Sequence, residues 1–254
     1  MSRVQSKPGK EFWLAALRHE GAAFRAAVSL DGLAEPVPSC PGWTVEDLVV
    51  HLGNTYRWVH GHVIREITTQ PARLTTDDIP RGEAALPWWD ARYGELLSTL
   101  DRLDAESPAW NWAPQAKKAG FWHRRMAHET AIHRWDAQVA AGLTEPVETK
   151  LAVDGISEVL DSWLPGGRRL VTHSPVSGLA ELVASDVAHA WLVRIRGAGV
   201  ALLDTSTVMH EPHRIDAQAI GTASDLLLAL WGRVPFDVLE TAGNPRLLEA
   251  VRTG

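Results

Sequence analysis

Two histidines and two carboxylates lie close together in the segment HETAIHRWD, residues 128 to 136, and such side chains can bind a metal ion. In a zinc-protease helix of the form HExxH, the two histidines are four residues apart and share one face. His128 and His133 are five residues apart, which separates them by roughly 140° around a regular helix. Glu129 and His133, by contrast, are an i, i+4 pair on a common face. The segment therefore supplies two ligands, and a third has to come from elsewhere.

His51 is the candidate for the third ligand, because it stands in the apolar run LVVHL of another predicted helix. Metal sites in helical bundles are built from side chains on facing helices. Two histidines and one carboxylate, with one position left for water or substrate, form a recurring catalytic zinc site. A histidine on an apolar face is nevertheless more often a hydrogen-bonded core residue, and a Glu-xxx-His pair is more often a solvated helix face. Both interpretations stay open from the pattern alone.

Two aspartates stand at helical spacing from these histidines. Asp47 precedes His51 by four residues, and Asp136 follows His133 by three. Each carboxylate could therefore accept the outer N–H of a ligating imidazole. The alternatives are that Asp47 belongs to the cap of its helix and that Asp136 pairs with an arginine at the surface.

The single cysteine, Cys40, excludes an intrachain disulfide, which fits a reducing cytoplasm. It precedes Pro41 in a proline-rich loop. We expect it to be a buried structural residue and not a nucleophile, since free cysteines are among the most buried residue types.

The elements that position these residues are four amphipathic helices. Apolar side chains recur at helical spacing in four segments: residues 10–29, 44–68, 83–103 and 121–142. Thr44 and Asp47 form a capping-box pattern at the start of the second helix, and Gly142 suits the end of the fourth. Four such helices joined by loops favour a four-helix bundle.

The second half of the chain has a different pattern, with a possible boundary at the loop PGG, residues 165–167. Short β-type runs follow: AWLVRI, GVALLD, RIDAQAI and FDVLET. TASDLLLALWGR, with Thr222 or Ser224 as its cap, and NPRLLEAVR are helical. We predict an α+β protein, mostly α, with a helical bundle over residues 1–165 and a small α+β domain over residues 166–254.

Composition and charge limit the kinds of partner that we expect for this protein. Hydrophobic residues make up 45% of the chain, charged residues 22%, and the net charge is -6, as in an ordinary soluble protein. We expect no nucleic-acid partner, because a mildly acidic chain lacks the broad Lys/Arg stripe that phosphate binding requires. Neither a signal core nor an apolar run of about 18 residues is present. We therefore expect a cytoplasmic protein with small-molecule partners.

Three segments resemble the mycothiol-dependent maleylpyruvate isomerase family: VPSCPGWTVEDLVVHLGNTYRWV, RRMAHETAIHRWDAQVAAG and GTASDLLLALWGR. The resemblance covers nearly the whole chain. It implies a DinB-like metal-binding four-helix domain followed by a small α+β domain similar to a sterol-carrier fold. It places the zinc triad of the family on His51, Glu129 and His133. It also implies an arginine that binds substrate or thiol, for which Arg233 in the WGR segment is the candidate; an arginine favoured at a helix end by the macrodipole is the alternative.

The resemblance implies a zinc-dependent enzyme with mycothiol as its thiol cosubstrate. A thiolate would add to a small electrophile, either as a thiol S-transferase or as a maleylpyruvate-type cis–trans isomerase. We favour the transferase or a specialised pathway enzyme, because the scaffold serves many reactions. The segment PGGRRLVTHSPVSGL, between residues 165 and 180, is longer than the family pattern and could reshape the cleft. A metal-dependent hydrolase, in which zinc activates water, and a non-catalytic small-ligand-binding protein are the alternatives.

Overall fold

A computed structural model describes four stretches of the chain: residues 8–167, 176–197, 199–203 and 214–253. Contacts divide the chain into two compact units. The first comprises residues 1–111 and 115–145, and the second comprises residues 112–114 and 146–254. The segment from 146 to 165, which the sequence analysis assigned to the bundle, is grouped with the second unit. The boundary between independently folding domains stays a prediction.

The first unit is built from the four predicted helices. They are α1 (Lys10–Ala27), α2 (Val45–Val63), α3 (Ala85–Arg102) and α4 (Gly120–Ala140). α1 packs on α4, and α2 packs on both α3 and α4. The core between them holds large buried side chains, including Leu14, Leu17, Phe24, Leu48, Leu52, Tyr56, Trp89, Trp122 and Met126. This packing places the predicted ligand of α2 opposite those of α4.

The start of α2 is fixed by the predicted capping box. The Thr44 side chain accepts a hydrogen bond from the Asp47 backbone N–H at 3.3 Å, and Asp47 Oδ2 accepts one from the Thr44 N–H at 3.1 Å. The predicted end of α2 near residue 68 is wrong, because the helix ends at Val63. Glu66 then adopts a left-handed backbone conformation with φ of 50°, which does not continue a right-handed helix.

α4 is buried on most of its circumference, which explains how it carries charged side chains in the interior. Arg134 donates to Glu20 Oε2 on α1 at 2.7 Å, and both side chains are almost completely buried. Arg134 also donates to Gln138 Oε1 at 2.7 Å, one turn further along α4. Buried charges are tolerated when they are paired and hydrogen-bonded in this way.

The second unit combines helices with one five-stranded sheet. In the part of this unit that the structure describes, the helices are α5 (Thr149–Glu158, followed by a π-helical turn, Val159–Trp163), α6 (Ala223–Leu230) and α7 (Pro245–Glu249). Its strands are β1 (Ser177–Ala184), β2 (His189–Arg196), β3 (Gly199–Leu203), β4 (Ala217–Gly221) and β5 (Glu240–Gly243), in the order β3-β2-β1-β4-β5. β1 and β4 are parallel and the other pairs are antiparallel. The predicted α+β fold, mostly α, is confirmed.

Strand β1 was missed by the sequence analysis, which placed its first residues in a long insert. Its buried positions Ala180, Leu182 and Ala184 alternate as a strand requires, but alanine is a weak β-former, so the period is hard to see in the sequence. Residues 168–175 of the insert lie outside the described residues. FDVLET was also predicted as a strand, but Phe236–Val238 forms a 3-10 turn and β5 begins at Glu240.

Candidate metal centre

The three predicted ligands converge between α2 and α4. Glu129 Oε1 lies 3.2 Å from His51 Nε2 and 3.5 Å from His133 Nε2. One ligand atom from each residue can be chosen so that all three lie within 4.8 Å of one another. Because His51 comes from α2 and the other two come from α4, packing of these helices assembles the cluster.

The donor set fits a divalent metal ion in both spacing and chemistry. Zinc binds imidazole nitrogen and carboxylate oxygen at about 2.0–2.2 Å, so two ligands of a tetrahedral ion lie roughly 3.3 Å apart. The separations of 3.2 and 3.5 Å are close to that value. The His51 side chain is 38% exposed, whereas those of Glu129 and His133 are 14% and 9% exposed. The cluster is therefore accessible from the His51 side.

The tautomer of His133 is set by Asp136. Asp136 is completely buried, and its Oδ2 lies 2.9 Å from His133 Nδ1. An ionised carboxylate can only accept, so Nδ1 carries the proton. In the neutral ring Nε2 then has a lone pair, and this lone pair faces the carboxylate oxygen of Glu129. A positive charge between these two atoms, whether a proton or a metal ion, relieves that repulsion.

The pKa values of Glu129 and His133 are set by burial and by the contacts within the cluster. Burial alone would raise the pKa of Glu129, but hydrogen bonds to His133 and His51 and the charge of Arg125 hold it well below its ordinary value. Burial alone would lower the pKa of His133, but its hydrogen bonds to Asp136 and Glu129 raise that pKa above its ordinary value. The pocket therefore favours a cation between the carboxylate and the imidazoles.

The loop before α2 also holds Asp136. Ser39 Oγ donates to Asp136 Oδ1 at 2.6 Å, and Cys40 Sγ donates to Asp136 Oδ2 at 3.5 Å. The predicted contact between Asp136 and His133 is confirmed, and because the Asp136 side chain is fully buried, it does not lie at the surface. Cys40 is half-buried, not buried as predicted. Its thiol contacts a carboxylate that orients a ligand, which is a structural position.

Asp47 belongs to the cap of α2, which was the second of its two possible roles in the sequence. Its Oδ2 belongs to the capping box with Thr44, and its Oδ1 accepts a hydrogen bond from Arg81 at 2.8 Å. The hydrogen bond from Arg81, together with those from Thr44, lowers the pKa of Asp47. The cap interpretation is confirmed.

Two further side chains at the cluster were not assigned to it by the sequence analysis. The half-buried Trp43 has its ring centroid 5.0 Å from that of His51 and 6.4 Å from that of His133, onto which it stacks. Arg125 Nη2 donates to Glu129 Oε2 at 2.7 Å. Trp43 lies on a loop, where no spacing rule identifies it. Arg125 precedes Glu129 by four residues, so its helical spacing was a usable signal.

His128 lies outside the ligand cluster, as its spacing predicted. It is buried, and its ring packs edge-on against Trp13 of α1 at 5.5 Å. Within HETAIHRWD, His128 therefore lies against α1, whereas His133 lies at the candidate metal centre.

Arg233 belongs to the second unit, whereas the metal cluster belongs to the first. It is half-buried, and its Nη1 donates to the Trp231 carbonyl at 3.0 Å. Its backbone N–H closes the end of α6 by bonding to the Leu228 carbonyl at 2.8 Å, with Gly232 at φ of 69° before it. Part of the WGR pattern is therefore explained by helix termination, for which a left-handed glycine is suited.

Fold and site together define a helical bundle with a candidate metal-ligand cluster between two helices, joined in one chain to a small α+β unit. Comparison with protein families identifies it further. Residues 14–138 match the mycothiol maleylpyruvate isomerase N-terminal domain, and residues 150–250 match the C-terminal domain of the same family. The chain belongs to the mycothiol-dependent maleylpyruvate isomerase family, which is a family of enzymes.

Solved structures show the same fold at low sequence identity. The chain is similar to the mycothiol-dependent maleylpyruvate isomerase, with 12% identity and a TM-score of 0.62, and to a histidine-to-alanine mutant of that enzyme, with 11% identity and a TM-score of 0.64. Each comparison covers 92% of this chain and 93% of the other. A search of curated proteins found no match. None of the helices in the described stretches has the length and apolar character needed to cross a bilayer.

Proposed function

We propose that the protein is a zinc-dependent enzyme that binds mycothiol and activates its thiolate for addition to a small electrophile. The observation that carries this proposal is the convergence of His51, Glu129 and His133 on one point in a chain that matches both domains of the family. The family name adds maleylpyruvate-type cis–trans isomerisation as a specific candidate, beside S-transfer. We further propose a cytoplasmic location, because a free thiol cosubstrate requires a reducing compartment.

The ligand atoms would be His51 Nε2, Glu129 Oε1 and His133 Nε2. When bound, zinc supplies a positive charge that favours the thiolate over the thiol at a neighbouring sulfur. Asp136 keeps His133 in the tautomer that presents Nε2. Trp43 covers the two imidazole rings on one side and so limits the directions from which water can approach.

The more exposed His51 side is where we propose that thiol and electrophile enter. In isomerisation the sulfur adds to one carbon of an activated double bond, and the electron pair moves onto the conjugated carbonyl. Rotation about the new single bond and departure of the same thiolate leave the trans product and regenerate the thiol. In S-transfer the adduct takes up a proton and is released, so one thiol is consumed per turnover.

We carry Arg233 forward as a proposed binding residue for the carboxylate of the substrate or of the thiol. A guanidinium can hold a carboxylate through two parallel hydrogen bonds. Its hydrogen bond to the Trp231 carbonyl restricts the side chain, which supports a positioning role for the guanidinium. Replacement by lysine, which keeps the charge but loses the two-pronged geometry, should raise KM more than it lowers kcat.

Turnover with and without thiol tests the proposed function. Metal-loaded protein is mixed with a cis-configured conjugated keto acid and mycothiol, and product and free thiol are both measured. Product formation with thiol unchanged indicates isomerisation, whereas equimolar loss of thiol indicates S-transfer. Turnover that proceeds without thiol would contradict the proposal and favour the hydrolase. His51→Ala should abolish turnover, and His60→Ala should retain it, since His60 lies on α2 but bonds to Thr99 of α3.

A further inference from the structure

Glu129 uses its two carboxylate oxygens for different partners. Oε1 faces the imidazole nitrogens of His51 and His133, and Oε2 accepts a hydrogen bond from Arg125 at 2.7 Å. We infer that Arg125 is a positioning residue that restricts Glu129 to metal coordination through Oε1 alone. This inference rests on the proposed function, because it concerns how the proposed metal site is completed.

The restraint is strong because of where the pair lies. The Arg125 side chain is 3% exposed and that of Glu129 is 14% exposed, so water competes little for the hydrogen bond. Both residues lie on α4, one turn apart, and the rigid helix fixes the distance between them. Turning Oε2 toward the metal would remove a buried, charge-assisted hydrogen bond from Arg125, which is costly for a guanidinium inside a protein.

Whether Glu129 binds the metal through one oxygen or two decides how many coordination positions remain for the thiol. Two histidine nitrogens and one carboxylate oxygen leave a tetrahedral ion with one open position. If both Glu129 oxygens bound the ion, the second would occupy space that an incoming sulfur needs. Arg125 also offsets the negative charge of Glu129, so a divalent ion in this site keeps more positive charge to attract an anionic thiolate. Arg125 thereby acts through Glu129 and does not need to contact the substrate.

Cobalt(II) absorption tests this inference, because four-coordinate cobalt(II) absorbs visible light much more strongly than five-coordinate cobalt(II). The metal-free full chain is titrated with cobalt(II) alone. Wild type should give an intense, four-coordinate spectrum. Arg125→Met frees Oε2, so its visible absorption per bound cobalt should fall severalfold. Arg125→Lys should restore most of the intensity, since an ammonium can still hold Oε2.

Arg134→Met is the matched control, because it removes another buried arginine of α4, one that donates hydrogen bonds to Glu20 and Gln138. Its cobalt spectrum should equal that of wild type. If Arg125→Met does not fold, Arg125→Gln removes the same charge and should also weaken the spectrum. A folded, cobalt-binding Arg125→Met or Arg125→Gln with the wild-type spectrum overturns the inference alone. Absence of cobalt binding by wild type overturns the proposed function and the inference with it.

Discussion

His133 is held between two carboxylates, with Nδ1 at 2.9 Å from Asp136 Oδ2 and Nε2 at 3.5 Å from Glu129 Oε1. The first contact fixes the proton on Nδ1, and the second directs the Nε2 lone pair toward the candidate metal position. All three residues lie on α4: the candidate ligand His133, the carboxylate of Asp136 that orients it, and the carboxylate of Glu129 that would bind the same ion. The contact between Asp136 and His133 should therefore tune the metal affinity of the site.

Asp136→Asn should weaken zinc affinity by about 10–100-fold, the usual effect of losing a partner behind a ligating histidine. The neutral amide orients the ring less strongly and lowers the basicity of Nε2. Competition with a chromogenic chelator measures the affinity. Asp101→Asn is the control, since Asp101 forms an exposed ion pair with Arg18. An Asp136→Asn variant that binds zinc as tightly as wild type would show that this contact does not support the site.

Cys40→Ser should retain both metal content and thiol-dependent turnover. The serine hydroxyl can donate to Asp136 Oδ2 as the thiol does, so the carboxylate keeps its orientation. Elemental analysis and steady-state kinetics on the variant check this. If turnover were lost while metal content and thermal stability stayed at wild-type values, Cys40 would have a chemical role and the structural assignment would be wrong.

Breaking the buried pair of Glu20 and Arg134 should destabilise the bundle more than breaking an exposed ion pair. Glu20→Leu removes the carboxylate that pairs with the buried Arg134 guanidinium, so the free energy of unfolding should fall by about 3–5 kcal/mol. Replacing both residues, as Glu20→Leu with Arg134→Met, should cost less than Glu20→Leu alone. Breaking the exposed pair of Arg18 and Asp101 should cost about 0–1 kcal/mol. Urea unfolding measures all of these variants. Equal costs for the buried and exposed pairs would contradict the assignment.

His62 should make the protein less stable in mild acid. Its burial, in contact with the rings of Trp58, Trp110 and Trp122, lowers its pKa from the ordinary value of 6.5. As pH falls below about 6.5, the His62 imidazole binds a proton in the unfolded chain but stays neutral in the folded chain until the pH is lower. The stability present at neutral pH is therefore lost toward acid.

His62→Phe should flatten this acid loss, measured as the urea midpoint of metal-free protein between pH 7 and 5. His19→Gln, which removes an exposed histidine of α1, should keep the wild-type slope. A His62→Phe variant with the wild-type slope would exclude His62 as the source.

The convergence of His51, Glu129 and His133 was predictable from the sequence because it depends on regular spacing. Glu129 and His133 share a helix face by their i, i+4 spacing, and the apolar surroundings of His51 indicated an inward-facing histidine. The four helices followed from the same periodicity. These predictions concern residues whose positions a helix fixes locally.

Partner choice was not predictable, because it depends on contacts distant in sequence. Arg134 and Asp136 lie two residues apart on α4, and the sequence does not tell which distant side chain each of them contacts. Their partners Glu20 and Ser39 are supplied by α1 and by a loop. Strand β1 was missed for a related reason: its alanines become buried only when the sheet forms around it.

Zinc content per chain is the measurement that tests the central claim most directly. Elemental analysis of protein purified in the presence of zinc should give about one equivalent per chain for wild type, as a three-ligand site requires. His51→Ala and His133→Ala should each lose most of that zinc while their circular dichroism spectra stay unchanged. Wild-type protein without metal, or variants that keep the full equivalent, would contradict the claim that His51, Glu129 and His133 form the metal site.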